Sequence, residues 1–302
     1  LHGRVGLALL SVRDRTGEEV GFKEPALTLR LDGYRLGDSG LGVHFDLRMR
    51  RTYREVDDTS ETRSRLYRGH FEWSPEGSPY RLSVGRQFLP GISATSLFDG
   101  VALERRGTRW IVGAFGGTEP EPTDLGFDSS VRQYGGYAQL LGHGDGARWS
   151  LATGAVGSYE ESEINREFVF LQGRYVSGRL YATFLQELDV NRGWKSDTGG
   201  SSLSSTATYA YVRYRPGDAV VVDGAYDDRE NVRLYRDRVT PESEFDDANR
   251  RGIWGGVQIR LAGRAWVGAR YRRFDGDGSE VSDAFTATLR TEPLTTLGLS
   301  VR

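Results

Sequence analysis

Residues 26–33 read Ala-Leu-Thr-Leu-Arg-Leu-Asp-Gly, and residues 43–50 read Val-His-Phe-Asp-Leu-Arg-Met-Arg. In both stretches apolar side chains alternate with polar or charged ones, and the same period of two returns in 253–261 and, more weakly, in 267–272. Successive side chains of a β-strand point to opposite faces of the sheet, so this period predicts strands with one apolar and one polar face. No long segment has a convincing helical period, and the sequence therefore predicts an all-β protein.

Strand-like segments recur along the whole chain. They are residues 4–13, 64–74, 79–88, 96–106, 108–116, 131–141, 147–158, 165–177, 178–189, 204–215, 217–227 and 281–290, with a last one at 295–302. We therefore predict roughly 16 strands (about 14–18), each about 9–12 residues long, which is the length that crosses a bilayer when tilted. Strands of globular proteins are shorter, nearer about 5–6 residues.

The predicted connections alternate in length. Short ones carry turn residues, at 76–79, 106–107, 177–178, 216–217 and 262–264, and longer polar ones lie between them, at 57–61, 119–130, 191–202, 229–247 and 275–279. Short turns on one side and long loops on the other are typical of outer-membrane barrels. The predicted fold is an antiparallel up-and-down transmembrane β-barrel, formed by residues 1–302 as a single domain in a bacterial outer membrane.

The composition agrees with a barrel that has a wet interior. Only 37% of residues are hydrophobic, whereas glycine (40 residues) and tyrosine (15) are frequent. The absence of cysteine excludes disulfides and thiolate metal sites. A net charge of −2 gives no indication of a nucleic-acid partner. Aromatic residues near strand ends are candidates for interfacial girdles: Trp73, Tyr80, Trp110, Tyr134, Tyr159 and Tyr175.

One local motif resembles a known class. Residues 82–87 read Leu-Ser-Val-Gly-Arg-Gln, and residues 97–101 read Leu-Phe-Asp-Gly-Val. This pair of segments resembles bacterial porins and alginate-export-type outer-membrane barrels, in which Gly-Arg-Gln at a strand end precedes a Phe-Asp-Gly-Val strand. The resemblance covers residues 82–101 and implies a barrel of the Gram-negative envelope. Such barrels often end in an aromatic residue, whereas this chain ends in Val301-Arg302.

The start of the chain leads to a separate expectation. Leu1 runs directly into a strand-like segment. We therefore expect that a signal peptide or an upstream domain was removed before residue 1.

If the apolar alternates face lipid, their polar neighbours face the lumen, because a charged residue at mid-membrane costs about 2–4 kcal/mol. The resulting pore-lining candidates are Arg30, Asp32, His44, Asp46, Arg48, Arg50, Arg68, His70, Glu72, Arg81, Tyr211, Arg213, Gln258, Arg260, Arg270 and Arg272, with Tyr209 and Trp254 beside them. One interpretation is an arginine-lined pore that selects anions or sugar-like solutes. The alternative is that these groups pair across strands and fill the lumen, or stand in water.

The sequence gives little support to other chemistry. None of the four histidines has zinc-site spacing. His44 and His70 can approach each other on the inner face and, with Glu72 or Asp46, form a metal or acid–base cluster, but we interpret them as polar lumen wall and assign no metal. Asp275 and Asp277 are a weak calcium candidate without EF-hand spacing, and a solvated hairpin loop is the preferred interpretation.

No enzymatic motif stands out. The Gly-Asp-Ser-Gly sequence at 37–40 lies between two alternating strands and is interpreted as a hairpin turn rather than a protease nucleophile. There is no phosphate-binding loop and no dinucleotide fingerprint. The sequence therefore predicts no catalytic residues, no cofactor and no enzyme.

Three functional hypotheses follow. The first is a porin-like channel for passive diffusion of small hydrophilic solutes, with anions among the candidates. Its partners are that solute, outer-membrane lipid and lipopolysaccharide. The second is the membrane barrel of an export or envelope scaffold complex with a periplasmic or envelope partner. The third is an outer-membrane hydrolase that uses a serine with His44.

Overall fold

The computed structural model describes residues 1–13, 21–54, 59–144, 146–199, 201–232, 234–235, 237, 249–261, 265–276 and 281–291. They form one antiparallel sheet in which strands pair in chain order from β1 to β16. The strands are β1 (His2–Arg13), β2 (Gly21–Leu36), β3 (Leu41–Arg54), β4 (Ser60–Trp73), β5 (Tyr80–Gln87), β6 (Phe98–Arg106), β7 (Trp110–Thr118), β8 (Val131–Gly144), β9 (Ala147–Glu160), β10 (Glu163–Val176), β11 (Leu180–Val190), β12 (Leu203–Gly217), β13 (Val220–Glu230), β14 (Asn249–Arg260), β15 (Ala265–Gly276) and β16 (Ser282–Thr291). A short helix, α1 (Trp194–Gly199), follows β11.

This topology confirms the predicted up-and-down fold of sixteen strands. The segment predicted at 295–302 lies outside the described residues. Strand length varies more than expected, from 8 residues in β5 to 16 in β2. Among the described strands, the pairing runs from β1 to β16 and includes no ladder between these two strands. No helix in the described part of the chain is long and apolar enough to cross a membrane.

The connections lie alternately at two ends of the sheet, because consecutive strands run in opposite directions. At the short-turn end they are 37–40, 74–79, 107–109, 145–146, 177–179, 218–219 and 261–264. At the long-loop end lie 88–97, 119–130 and 191–202, together with a two-residue turn at 161–162. At 37–40 the chain forms a 3-10 turn in which Ser39 Oγ donates to the carbonyl of Leu36, so the Gly-Asp-Ser-Gly segment is a hairpin turn as predicted.

The chain divides into two compact units. The first comprises residues 1–136 and 158–161, and the second comprises residues 137–157 and 162–302. The expectation of a single domain stays a prediction.

The two faces of the strands differ in a way that reverses the pattern of a soluble protein. Apolar side chains are exposed, such as Leu7 (83%) and Phe71 (60%). Polar and charged side chains are buried on the other face, such as His44 (2%), Glu104 (4%) and Asp223 (8%). We call these the apolar face and the polar face. In soluble proteins buried charges are rare and exposed apolar patches are small, so this surface is built to contact something other than water.

The Gly-Arg-Gln motif of β5 serves the packing of its neighbours. Gly85 has a φ of +123°, and a Cβ at this position would lie 2.3 Å from the carbonyl oxygen of Gly69. Gln87 is 2% exposed and donates through Nε2 to the carbonyl of Gly100. These contacts require a glycine and an amide at the two positions.

Arg86, between them, forms a buried ion pair. Its Nε and Nη2 donate to the two carboxylate oxygens of Asp99 at 2.7 and 2.5 Å. Its Nη1 also donates to the carbonyls of Leu66 and Leu125. The motif that resembles porins thus joins β4, β5 and β6 to the connection 119–130.

Replacing Gly85 with alanine is expected to lower the free energy of unfolding by at least about 2 kcal/mol, or to prevent refolding, because the new Cβ meets backbone and the φ disfavours it. The measurement is urea denaturation of protein refolded in detergent. Gly178→Ala is the matched control, since a Cβ there meets nothing within 4 Å. Equal stability of the two variants would contradict the prediction.

Candidate functional site

The first polar cluster lies in the first unit, where three neighbouring strands bring polar residues side by side. The register pairs Asp32 of β2 with His44 of β3, and His44 with His70 of β4. The next row pairs Arg30, Asp46 and Arg68 in the same way. We call Asp32, His44, Arg68, His70, Glu72 and Arg81 the histidine cluster.

Hydrogen bonds within the histidine cluster hold the imidazole of His44. Asp32 Oδ1 accepts from His44 Nδ1 at 2.9 Å and from Arg68 Nη2 at 3.0 Å. A carboxylate only accepts, so Nδ1 carries a proton, and in the neutral imidazole this leaves the lone pair on Nε2. The His44 and His70 rings stack with centroids 4.9 Å apart. His70 Nδ1 is buried without a hydrogen-bond partner among the described residues.

Acidic and basic side chains alternate beyond the histidines. Arg81 Nη2 lies 2.5 Å from Glu72 Oε2, and Arg81 Nη1 lies 3.4 Å from Glu104 Oε2. Glu104 also accepts from Arg106. Since nearly every charge here has an opposite partner, this part of the polar face has no strong net field.

The connection 88–97 covers the histidine cluster. Its Phe88 and Pro90 line a cavity of about 370 Å³ together with His44, His70 and other residues of the cluster. Leu89 and Ile92 of the connection are 2% and 4% exposed. These buried apolar side chains anchor the connection, so it is a fixed part of the cavity wall.

The second polar cluster, in the second unit, surrounds a larger cavity of about 560 Å³. We call it the arginine cavity. Its charged lining consists of five arginines and one aspartate, a net formal charge of +4: Arg213, Arg215, Asp223, Arg270, Arg272 and Arg290. The hydroxyls of Thr286 and Thr288 and the amide of Gln258 add uncharged polar groups. Guanidinium and hydroxyl groups are donors, so the cavity is suited to anions.

Aromatic rings support the arginines of this cavity. Arg270 Nη2 lies 3.1 Å from Asp223 Oδ2, and its guanidinium carbon lies 4.8 Å from the ring centroid of Trp254. The ring of Tyr211 lies 5.5 Å from that of Trp254. Cation–π contacts of this kind stabilise a cation away from bulk water.

The structure places all the predicted pore-lining residues on the polar face, in two groups. The candidates numbered from Arg30 to Arg81 lie on β2–β5, and the candidates numbered from Tyr211 to Arg272 lie on β12–β15. Arg48 and Arg50 are 60% and 44% exposed towards the long-loop end, and Arg260 stacks on Trp266 at 5.9 Å outside the cavity lining. Their role as pore lining stays a prediction.

Other residues of these sites were missed from the sequence. Arg215, Asp223 and Arg290 line the arginine cavity, and Glu104 belongs to the first cluster. The sequence did contain a pattern that indicates the polar face of β16, because Thr286, Thr288 and Arg290 alternate with apolar residues there. The connection 88–97 was also missed, although a run as apolar as Phe88-Leu89-Pro90 is unusual in a solvated loop.

The calcium candidate is not assembled in the described residues. Asp275 lies within β15, opposite Arg251 of β14. Asp277 lies outside the described residues. A basic cross-strand neighbour disfavours a cation at Asp275.

A third group of charges lies under the connection 191–202. Arg166 Nη2 lies 2.8 Å from both Glu187 Oε2 and Asp189 Oδ1. Lys195 of α1, 5% exposed, lies 3.9 Å from Asp189 Oδ2. Burial lowers the pKa of the Lys195 ammonium from 10.5 to about 8, and the nearby Asp189 opposes this shift only in part.

This shift predicts a pH effect on stability. Between pH 8 and 10.5 the folded chain binds fewer protons at Lys195 than the unfolded chain, so the free energy of unfolding rises with pH, by up to about 3 kcal/mol. In Lys195→Met this part of the rise is absent. Urea denaturation in detergent at both ends of the window measures it, with Lys23→Met, the only other lysine, as control. Equal pH dependence in wild type and Lys195→Met would refute the assignment.

The chain is similar to known proteins in its fold, whereas the sequence comparisons found no match. No protein family matches the sequence, and no curated protein matches it. Among solved structures, OprB of Pseudomonas putida is 12% identical with a TM-score of 0.50, over 95% of this chain and 91% of that chain. The outer membrane protein OpdK of Pseudomonas aeruginosa (11%, TM-score 0.41, 95% and 97% covered) and a mutant Rh. blastica porin (16%, 0.42, 95% and 97%) are also similar.

At these identities the comparison concerns the fold alone, and of these three structures the likeness to OprB, with a TM-score of 0.50, supports an argument. The likeness to OprB supports the predicted resemblance to porins, on fold alone. It gives no support to the predicted resemblance to alginate-export barrels. The described residues therefore form an antiparallel up-and-down sheet of sixteen strands, and this fold is similar to that of OprB.

Proposed function

We propose that this protein is a porin-like channel of the bacterial outer membrane, through which small hydrophilic solutes diffuse passively with a preference for anions. One observation carries the proposal, the inverted distribution of side chains. Large apolar side chains are exposed along the strands, while histidines, carboxylates and guanidinium groups are buried on the opposite face. A sheet that contacts hydrocarbon outside and water inside requires this distribution.

The apolar face also has aromatic residues at the two ends of its strands, where the headgroups of a bilayer would lie. Exposed aromatic residues lie at strand ends, with Trp73 and Tyr80 at the short-turn end and Tyr134 at the long-loop end. Tyr134 stacks on Tyr159 at 5.1 Å. Such rings favour the level of the lipid headgroups. The proposed partners of this face are outer-membrane lipid and lipopolysaccharide.

The preference for anions rests on the arginine cavity. Its net charge of +4 comes from guanidinium groups, with one carboxylate among them. A ring of basic side chains lowers the free energy of a passing anion and raises that of a cation. Bidentate donors also suit carboxylate and phosphate groups, so small organic anions are the proposed solutes.

The other two hypotheses receive less support. The residues that line the cavity of the histidine cluster, all of them described, do not include a serine, so the cavity lining offers no serine nucleophile for the hydrolase hypothesis. The protein is therefore proposed as a non-enzyme. The scaffold hypothesis differs from the channel in one measurable property, since a scaffold barrel inserts in a membrane without conducting.

Neutralising Arg270 tests the anion preference. In Arg270→Gln the cavity loses one positive charge and Asp223 loses its 3.1 Å partner, so the anion-to-cation permeability ratio is expected to fall on the order of twofold. The measurement is the reversal potential of single channels in a planar bilayer under a salt gradient. Arg109→Gln, an exposed arginine in the 107–109 turn, is the control.

The outcomes separate the hypotheses. Stable conductance with anion preference that weakens only in Arg270→Gln supports the proposal. Cation preference in the wild type would refute the anion-selective pore. Insertion without conductance would favour the scaffold barrel, and failure to insert would refute the membrane assignment.

Phe88 tests whether the connection 88–97 borders the conducting path. Its side chain is 50% exposed and lines the cavity, so Phe88→Ala widens the space without disturbing the buried anchors. We expect single-channel conductance to rise on the order of tens of per cent. Phe127→Ala, 75% exposed in the connection 119–130, is the matched control. An unchanged conductance would place the connection away from the path.

A further inference from the structure

The histidine cluster contains a set of metal-ligand groups that is distinct from the anion site. His44, His70 and Glu72 each offer one ligand atom, and these atoms all lie within 4.8 Å of one another. This is the one such group found in the described part of the chain. The three residues come from adjacent strands β3 and β4, whose pairing fixes their spacing.

The protonation of His44 leaves the correct atom available. Its Nδ1 donates to Asp32 Oδ1 at 2.9 Å, so the neutral ring has its lone pair on Nε2. That atom lies 3.9 Å from Glu72 Oε2. Metal-binding histidines usually donate their second ring nitrogen to a carboxylate in this way, which fixes the ring and its tautomer. Arg81 orients the Glu72 carboxylate at 2.5 Å in the same manner.

A second observation points independently to a ligand at this place. His70 is 8% exposed, and its Nδ1 is buried without a hydrogen-bond partner among the described residues. An unsatisfied buried polar atom costs about 1–3 kcal/mol, and such atoms in folded proteins usually have a partner. A bound ion supplies one, because a neutral imidazole nitrogen is a metal ligand.

The donor set selects the class of ion. Two imidazole nitrogens and one carboxylate oxygen suit zinc and similar divalent transition metals, whereas calcium and magnesium require several oxygen ligands. Asp32 pairs with Arg68 and Glu104 pairs with Arg81, which offsets part of the positive charge of the arginines near the site, and the Glu72 carboxylate supplies a further negative charge as a ligand. Zinc ligands lie about 2.0–2.2 Å from the ion, so binding draws the three groups together by about 1 Å.

We propose that His44, His70 and Glu72 bind one divalent transition-metal ion of the zinc class. Its fourth position faces the cavity under Phe88 and Pro90 and takes water or an anionic group from the solution. Three protein ligands with one open position are the arrangement of accessible zinc sites. The site goes beyond the proposed channel function and is tested without measuring conductance.

The test is titration of chelator-treated, folded protein in detergent with zinc chloride by calorimetry. One equivalent is expected to bind. His70→Gln and Glu72→Gln are each expected to weaken binding at least about tenfold, whereas His143→Gln, an exposed histidine of β8, leaves it unchanged. Migration of unheated protein in gels checks the fold of each variant.

Cobalt titration of the wild type gives a second measurement that needs no variant. Visible absorption bands of four-coordinate Co²⁺ that saturate at one equivalent, and that zinc abolishes, support the site. Absence of zinc binding to the folded wild type, cobalt spectra of six-coordinate hydrated ion only, or zinc binding that His70→Gln and Glu72→Gln leave intact would each overturn the proposal.

Discussion

Backbone hydrogen bonding is the constraint on which the rest of this structure depends. Each described strand satisfies its backbone amide and carbonyl groups by pairing with the strand that follows it in the chain, and strands in a low-dielectric surrounding require such pairing. That pairing fixes the alternation of side chains, so one face takes all the apolar contact with the surroundings and the other takes the charges. Every cluster described above occupies the second face as a consequence.

The charges on the polar face fall into two kinds of environment. In the first unit Arg68 and Arg81 have carboxylate partners within 3.0 and 2.5 Å, which offsets their charge beside the histidines. In the second unit Arg270 pairs with Asp223, and four other arginines line the same cavity, which leaves a positive surplus. Arginine is thus largely charge-balanced in the first unit and creates a positive electrostatic potential in the second, according to the number of carboxylates nearby.

The strands and their two faces could be predicted from the sequence because a period of two is a local property. The alternation in 26–33 and 43–50 placed Arg30, Asp32, His44 and Asp46 on one face, and the register then brings them together. The contents of the clusters could not be predicted in full, since they depend on which strands are neighbours and on the stagger between them. The bulge between Asp46 and Leu47 in the β3–β4 ladder, for example, has no local signature.

The path of the connection 88–97 was unpredictable for the same reason. Its anchors Leu89 and Ile92 are buried, and the sequence does not show this because a short apolar run between strands is equally compatible with a longer strand. Likewise, the sequence placed Arg86 and Asp99 in a motif but did not show that they pair across β5 and β6. Which side chains meet across two strands depends on the tertiary structure, whereas the alternation of side chains along one strand follows from the local backbone geometry.

The near absence of lysine has a consequence for the chemistry of the polar face. All the cationic groups that line the arginine cavity are guanidinium groups, which stay protonated at every pH that a living cell encounters. Acidification or alkalinisation of the medium therefore leaves the cationic part of the wall unchanged. Reagents that acylate primary amines also find no target among the residues that line this cavity.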